Sequence, residues 1–272
     1  MPSLDELRDP NLSVPTDTDV SVDAFPRLWW RYGTPPGQAG FFYTPASAWT
    51  GDLPEPWAEA EVFAGERGWV SRSVEICVIA RRSQPYRKEW LGDRTWRVYA
   101  DRWEPGMHIH TEVLALLRGV EETPIVWSYH GATGAVVNHR KDGVWAVAHR
   151  LLAQEATRVF KRPIGLSAFW VPLGPTLDAR GKPVFVRLPQ GAQLNHVTLR
   201  LPDLVGERLL ADRYVGRDVL ERVTALRDEH AAWAQRRRGV LVPATPEPAP
   251  EPAPAPAPTN GNLDAYDEDA PF

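Results

Sequence analysis

Residues 86–103, YRKEWLGDRTWRVYADRW, interleave cations with flat aromatic rings. Tyr86, Trp90, Trp96, Tyr99 and Trp103 alternate with Arg87, Lys88, Arg94, Arg97 and Arg102. Cations neutralise phosphates. Exposed rings take stacked bases, at about 1–3 kcal/mol per base and with little regard to sequence. The competing reading is a hairpin whose tryptophans pair with each other and pack on a core, and the pattern fits it equally well. A second cluster, RLWWRYG, sets Trp29, Trp30 and Tyr32 around Arg27 and Arg31. Neighbouring strand positions face opposite ways, so Trp29 and Trp30 cannot both point inward unless another layer covers one. Arg81 and Arg82 end a strand-like run, and Arg140 and Lys141 precede a helix-like one. The candidate set for a strand of phosphates and bases is therefore Trp29, Trp30, Arg31, Arg81, Arg82, Arg87, Lys88, Trp90, Trp96, Arg97, Trp103, Arg140 and Lys141.

Catalytic chemistry has thinner support. His108 and His110 in MHIHTE stand two apart, the spacing that puts both on one face of a strand, as a metal-dependent nuclease would use. His130, His139, His149 and Glu155 are further potential ligands. No Asp/Glu cluster at metal spacing accompanies them, and no Gly-rich phosphate loop or Gly-x-Ser-x-Gly elbow occurs. Exposed or core histidines are the more common origin of such a pair. No cofactor, metal or catalytic residue is expected. The lone cysteine, Cys77, excludes an internal disulfide and a cysteine-based zinc site.

The elements that must carry these residues can be read from periodicity. In WVSRSVEICVIARRS (69–83), Val74, Ile76, Val78 and Ala80 alternate with Glu75, Cys77, Ile79 and Arg81, which predicts a strand. The 86–103 segment predicts a hairpin turning at Gly92-Asp93. Residues 107–119 and 124–131 predict two more strands, and GATG a turn. Residues 141–162 predict a helix capped by Asp142 and stopped by Pro163, with Val144, Val147, Ala148, Leu151, Leu152 and Val159 as its apolar stripe. LSAFWVPLG, KPVFVRLP and NHVTLRLP are further strand candidates, and 217–238 a polar amphipathic helix capped near Asp218. The resulting class is mainly β (α+β), a β-barrel with added helices. A strand–strand–strand–helix–strand order suits an oligonucleotide-binding (OB-fold-like) barrel.

Charge divides the chain further. Residues 1–23 hold six acids and one arginine, and 241–272 hold six acids and no base. The body, 24–240, carries 30 Lys+Arg against 23 Asp+Glu and all twelve tryptophans. Arginine supplies 27 of the 31 basic residues, which suits both ring stacking and phosphate contact, although a GC-rich genome would give the same bias. The lead 1–23 is polar, without the apolar stretch of a secretion signal, and no apolar run spans a membrane, so a cytoplasmic location is expected. Residues 241–260 are a Pro/Ala-rich linker with eight prolines between Pro243 and Pro258. Such a composition favours an extended, semi-rigid spacer, with a reach of roughly 50 Å over those residues at about 3.1 Å each.

Residues 261–272 form an acidic tip, GNLDAYDEDAPF, closing on Asp267, Glu268, Asp269, Ala270, Pro271 and Phe272. Phe272 joins a ring to a free carboxylate, which an apolar pocket with an arginine rim can grip. DEDAPF resembles the C-terminal tip of bacterial single-stranded DNA-binding proteins, and the plan of barrel, low-complexity linker and acidic tip is similar. The resemblance covers about nine residues closely and the linker in style. The body is about twice the length of that family's domain, which suggests a phage or divergent version. It implies a barrel that coats single strands for replication, recombination or repair, and a tip (Asp267, Glu268, Asp269, Pro271, Phe272) that recruits partner proteins. The acidic tip should also compete with DNA for the basic body. The alternatives are a recombination mediator or loader acting through protein contacts, and the His108/His110 nuclease. A homo-oligomer is compatible with the sequence.

Overall fold

In the computed structural model, the described residues are 25–31, 40–63, 65–91, 94–187, 193–233 and 241–243. They are mainly β. Among them, eleven strands form one mixed sheet. The strands are β1 (Arg27–Arg31), β2 (Phe41–Pro45), β3 (Ala58–Phe63), β4 (Glu66–Ser71), β5 (Val74–Leu91), β6 (Arg94–Tyr99), β7 (His108–Leu117), β8 (Ile125–Tyr129), β9 (Val171–Pro175), β12 (Val197–Leu199) and β13 (Leu241–Pro243). Their order is β12-β9-β5-β7-β8-β1-β2-β4-β3, and β6 and β13 extend the sheet from β5. A small hairpin of β10 (Val186–Arg187) and β11 (Gln193–Leu194) stands apart.

The central strand is β5, 18 residues long. Val74 to Ile76 pair with β9, Ile76 to Tyr86 with β7, and Tyr86 to Leu91 run past the end of β7 beside β6. A register shift between Val78 and Ala80 interrupts its alternation. The sequence places Ala80 with Val74 and Ile76. The bulge instead moves it to the opposite face, beside Cys77 and Ile79. An extra residue in one strand of a pair has this effect and bends the strand.

Two apolar layers result. Inside the curled sheet, Leu28, Trp30, Phe42, Ile76, Val113, Trp127 and Val171 pack together. The indole Nε1 of Trp30 donates to the carbonyl of Asn195 at 2.9 Å, tying β1 to the segment before β12. The one parallel pair on this path joins β1 to β8, with Leu28 opposite Trp127. On the outer face, Cys77, Ile79, Leu114, Leu116 and Val126 meet a C-terminal helix.

The helices are α1 (Gly131–Asn138), α2 (Val144–Ala148), a π-helical turn (His149–Gln154), α3 (Glu155–Phe160), α4 (Gly206–Arg213) and α5 (Arg217–Glu229). The segment expected to be a GATG turn is the first turn of α1. Gly131 enters it at φ +53°, a left-handed conformation that glycine adopts at little cost, so the glycines start this helix. The predicted helix over 141–162 appears as α2 to α3. Its N-cap is Gly143 without a side-chain cap bond, so Asp142 does not cap it. The 217–238 helix is described as α5 and has Gly216 at its cap, with Asp218 in the first turn. Helix α4 was not anticipated.

Candidate nucleic-acid interface

The alternation of β1 separates its two tryptophans. Leu28 and Trp30 point inward, while Arg27, Trp29 and Arg31 are half-buried on the other face. Trp30 is 6% exposed and lies edge-on to Phe42 with ring centroids 4.7 Å apart. It is a core residue, which corrects its assignment as a stacking platform. Trp29 lies nearly parallel to Tyr43, its cross-strand partner, with centroids 5.4 Å apart.

Arg81 and Arg82 also diverge. Arg82 is 7% exposed. Its Nε donates to Glu112 Oε2 at 2.8 Å and its Nη1 to the Trp233 carbonyl at 2.9 Å, and its guanidinium lies 4.3 Å from the Trp233 ring. Glu112 also accepts from Arg27 Nη1 at 3.3 Å. A cation held this way is neutralised and buried, which corrects the sequence assignment of Arg82 to a binding surface. Arg81 is exposed, with its guanidinium 5.6 Å from the Trp145 ring.

Beyond the last β5–β7 pair, Tyr86 with His108, the sheet continues as an arm of β5, β6 and β13. Lys88 pairs with Arg97, Glu89 with Trp96, and Trp90 with Thr95. The Trp90 and Trp96 positions therefore fall on opposite faces of the arm. Their side chains lie outside the described residues. Arg87 and Lys88 are exposed, and Arg87 is ion-paired with Glu89. The Arg97 guanidinium lies 5.4 Å from the Tyr86 ring. Trp103, past the end of β6, is 56% exposed, and its Nε1 donates to the Met107 carbonyl at 3.0 Å. The arm thus gathers Arg87, Lys88, Arg97 and Trp103 from the sequence set.

Arg140 and Lys141 sit elsewhere, between α1 and α2. With Arg81 they line a cleft of about 830 Å³. His139 and His149, read in the sequence as potential metal ligands, share this lining, and so does Arg150, which the sequence reading missed. Arg150 reaches the cleft through the fold of the helical segment over Arg81, where Trp145 meets the Arg81 guanidinium, and no local pattern signals that. Asp267, Glu268, Asp269, Pro271 and Phe272 lie outside the described residues.

Sequence reading also missed a polar network on the outer face. The Tyr99 hydroxyl is 2.6 Å from His110 Nδ1, and His110 Nε2 is 2.7 Å from Ser128 Oγ. The His108 ring lies against Tyr86, with centroids 5.4 Å apart. Among the described residues no group of three His, Cys, Asp or Glu is placed to hold a metal ion. Burial pushes the Cys77 thiol up to about 12, with Arg227 pulling weakly the other way, so at neutral pH it is neither a thiolate ligand nor a nucleophile.

No protein-family model, no curated protein and no solved structure matches this chain.

Proposed function

We propose that the protein binds single-stranded DNA with low sequence specificity through an oligonucleotide-binding type of barrel, and that its acidic tip recruits replication or repair partners. The observation that carries the reading is connectivity. Strands β5, β7, β8, β9 and β12 run in the order β12-β9-β5-β7-β8, with α1 to α3 inserted between β8 and β9. Numbered along the chain, that order is 5-4-1-2-3 with a helix after the third strand, the arrangement expected of such a barrel. Its usual contact regions include the loops after the first and fourth strands. Here the first becomes the basic, aromatic arm. The second holds the β10–β11 hairpin, preceded by the exposed Arg180 and Lys182.

Two departures refine the reading. Strand β1, which precedes these five, pairs parallel with β8, so among the described residues β8 and β12 do not pair with each other to close the barrel. The outer face of β5, β7 and β8, a common oligonucleotide surface in this fold, is packed against Val223 and Leu226 of α5 and against Trp233. The strand is therefore assigned to the arm. Titration with oligo-dT should quench tryptophan fluorescence, and affinity should fall as salt rises because arginine contacts release counterions. Binding that is silent in fluorescence and insensitive to salt would refute the arm as the contact. The tip is supported by its sequence. Deleting Phe272 should abolish partner capture in a pulldown and leave DNA affinity within error. Capture that survives the deletion would refute the docking role.

A further inference from the structure

Four permanent cations, Arg81, Arg140, Lys141 and Arg150, line one cleft, with His139 and His149 beside them. All six side chains are exposed. Several other arginines are neutralised, among them Arg82 by Glu112, Arg158 by Glu155, and Arg213 by Glu75 and Asp212. Among the described residues, none of the four cleft cations has a carboxylate within ion-pair distance. The acidic side chain on the lining, Asp142, lies 3.8 Å from His139 Nδ1 instead. A concave surface lined by one sign of charge concentrates its field and attracts counter-charge.

The cleft also differs from the arm in what it lacks. Its ring, Trp145, is buried, and its Nε1 donates to the Tyr129 hydroxyl at 2.7 Å. Arg81 lies over that ring, so no open indole face is offered to a base, and the exposed rings on the lining are the small imidazoles of His139 and His149. Arg150 is held by a long bond from its Nη1 to the Lys141 carbonyl at 3.4 Å. Positive charge without a broad stacking plate suits phosphates better than bases.

We infer that this cleft is a second anchoring site for the phosphate backbone of the bound single strand, separate from the arm. The inference rests on the single-strand reading above. In the regular register between residues 81 and 86, Arg81, Ser83, Pro85 and then Arg87 alternate on one face of β5. At about 3.3 Å per residue, Arg81 and Arg87 are roughly 20 Å apart. An oligomer of about 4 nucleotides on the arm is too short to bridge that distance, whereas a long one does so.

The test compares full-length protein with the Arg140→Ala/Lys141→Ala/Arg150→Ala variant. The probes are oligo-dT of about 4 and about 30 nucleotides, one at the lower end of the roughly 4–16 that one such barrel covers and one well above it. The salt dependence of binding is measured for both. For the long oligomer, the variant should bind more weakly. Its log–log salt slope should shrink by about 2, because each phosphate that a cation no longer neutralises removes about 0.7. Affinity and fluorescence quenching with the short oligomer should match wild type. An unchanged slope with the long oligomer would overturn the inference while leaving the single-strand reading intact. Equal losses for both lengths would overturn the separation of cleft from arm. Failure of the wild type to bind either probe would remove the single-strand reading, and this inference with it. Matching circular dichroism and melting temperature establish that the variant folds. If they differ, Arg140→Gln/Lys141→Gln provides the same comparison, with an expected slope loss of about 1.4.

Discussion

Residues that look alike in the sequence have opposite roles here, and the reason is long-range. Trp29 and Trp30 are adjacent, and the strand rule correctly requires them to face opposite ways. Which one faces the core depends on Phe42 and Asn195, which no neighbouring residue reveals. Arg81 and Arg82 are equally ambiguous in the sequence. The partners that bury Arg82, Glu112 and Trp233, are 30 and 151 positions away. A mutational contrast follows from burial. Trp30→Ala should cost about 3–5 kcal/mol of stability in urea unfolding, through reduced burial and a cavity. Trp103→Ala, at an exposed ring, should change stability by less than about 0.5 kcal/mol. It should instead weaken oligo-dT binding by about 1–3 kcal/mol if the ring takes a base. A Trp103→Ala variant with full affinity would remove that ring from the contact.

Among the elements, regular alternation was the legible signal. The β5–β6 pair, β7 and β8 appear where the sequence predicts strands, and of the expected helical stripe Val144, Ala148 and Leu152 are buried while Leu151 is 39% exposed. The bulge in β5 was not legible, because an inserted residue leaves the composition of both faces plausible. Helix α1 was missed because Gly131 and Gly134 carry a turn signal, and only its packing over β7 and β8 shows otherwise. There, the Asn138 side-chain amide donates to Thr111 Oγ1 at 2.9 Å, and its Oδ1 accepts from the Tyr129 hydroxyl at 3.1 Å. The junction from α1 to α2 sets the cleft. A Cβ at Gly143 would lie 2.5 Å from the backbone N and O of His139 and 2.8 Å from the Val137 carbonyl. These are main-chain atoms that cannot swing aside. Gly143→Ala should therefore destabilise the protein by about 1–3 kcal/mol. At temperatures where it stays folded, the shifted junction should reduce affinity for long oligo-dT. Wild-type stability in that variant would show that the junction yields without cost.

Across the whole molecule, the proposed single-strand binding rests on charge, connectivity and the arm. The basic, tryptophan-rich body lies between two acidic ends, and this was readable from the sequence. So was the mainly β class. The sequence did not show that α5 and Trp233 cover the outer face of β5, β7 and β8, since that contact joins segments about 100 residues apart or more in the chain. With that face occupied, an arm that projects past β7 and a cleft lined by cations remain as places for a strand. Stacking on arm rings requires unpaired bases, whereas phosphate contacts alone would accept a duplex equally well. The central claim therefore turns on preference, and equilibrium binding of the full-length protein to one sequence presented as single strand and as duplex at matched salt measures it directly. Single-strand affinity at least about tenfold above duplex affinity, with tryptophan quenching for the single strand alone, is the predicted result. Equal affinity for the two forms would contradict it.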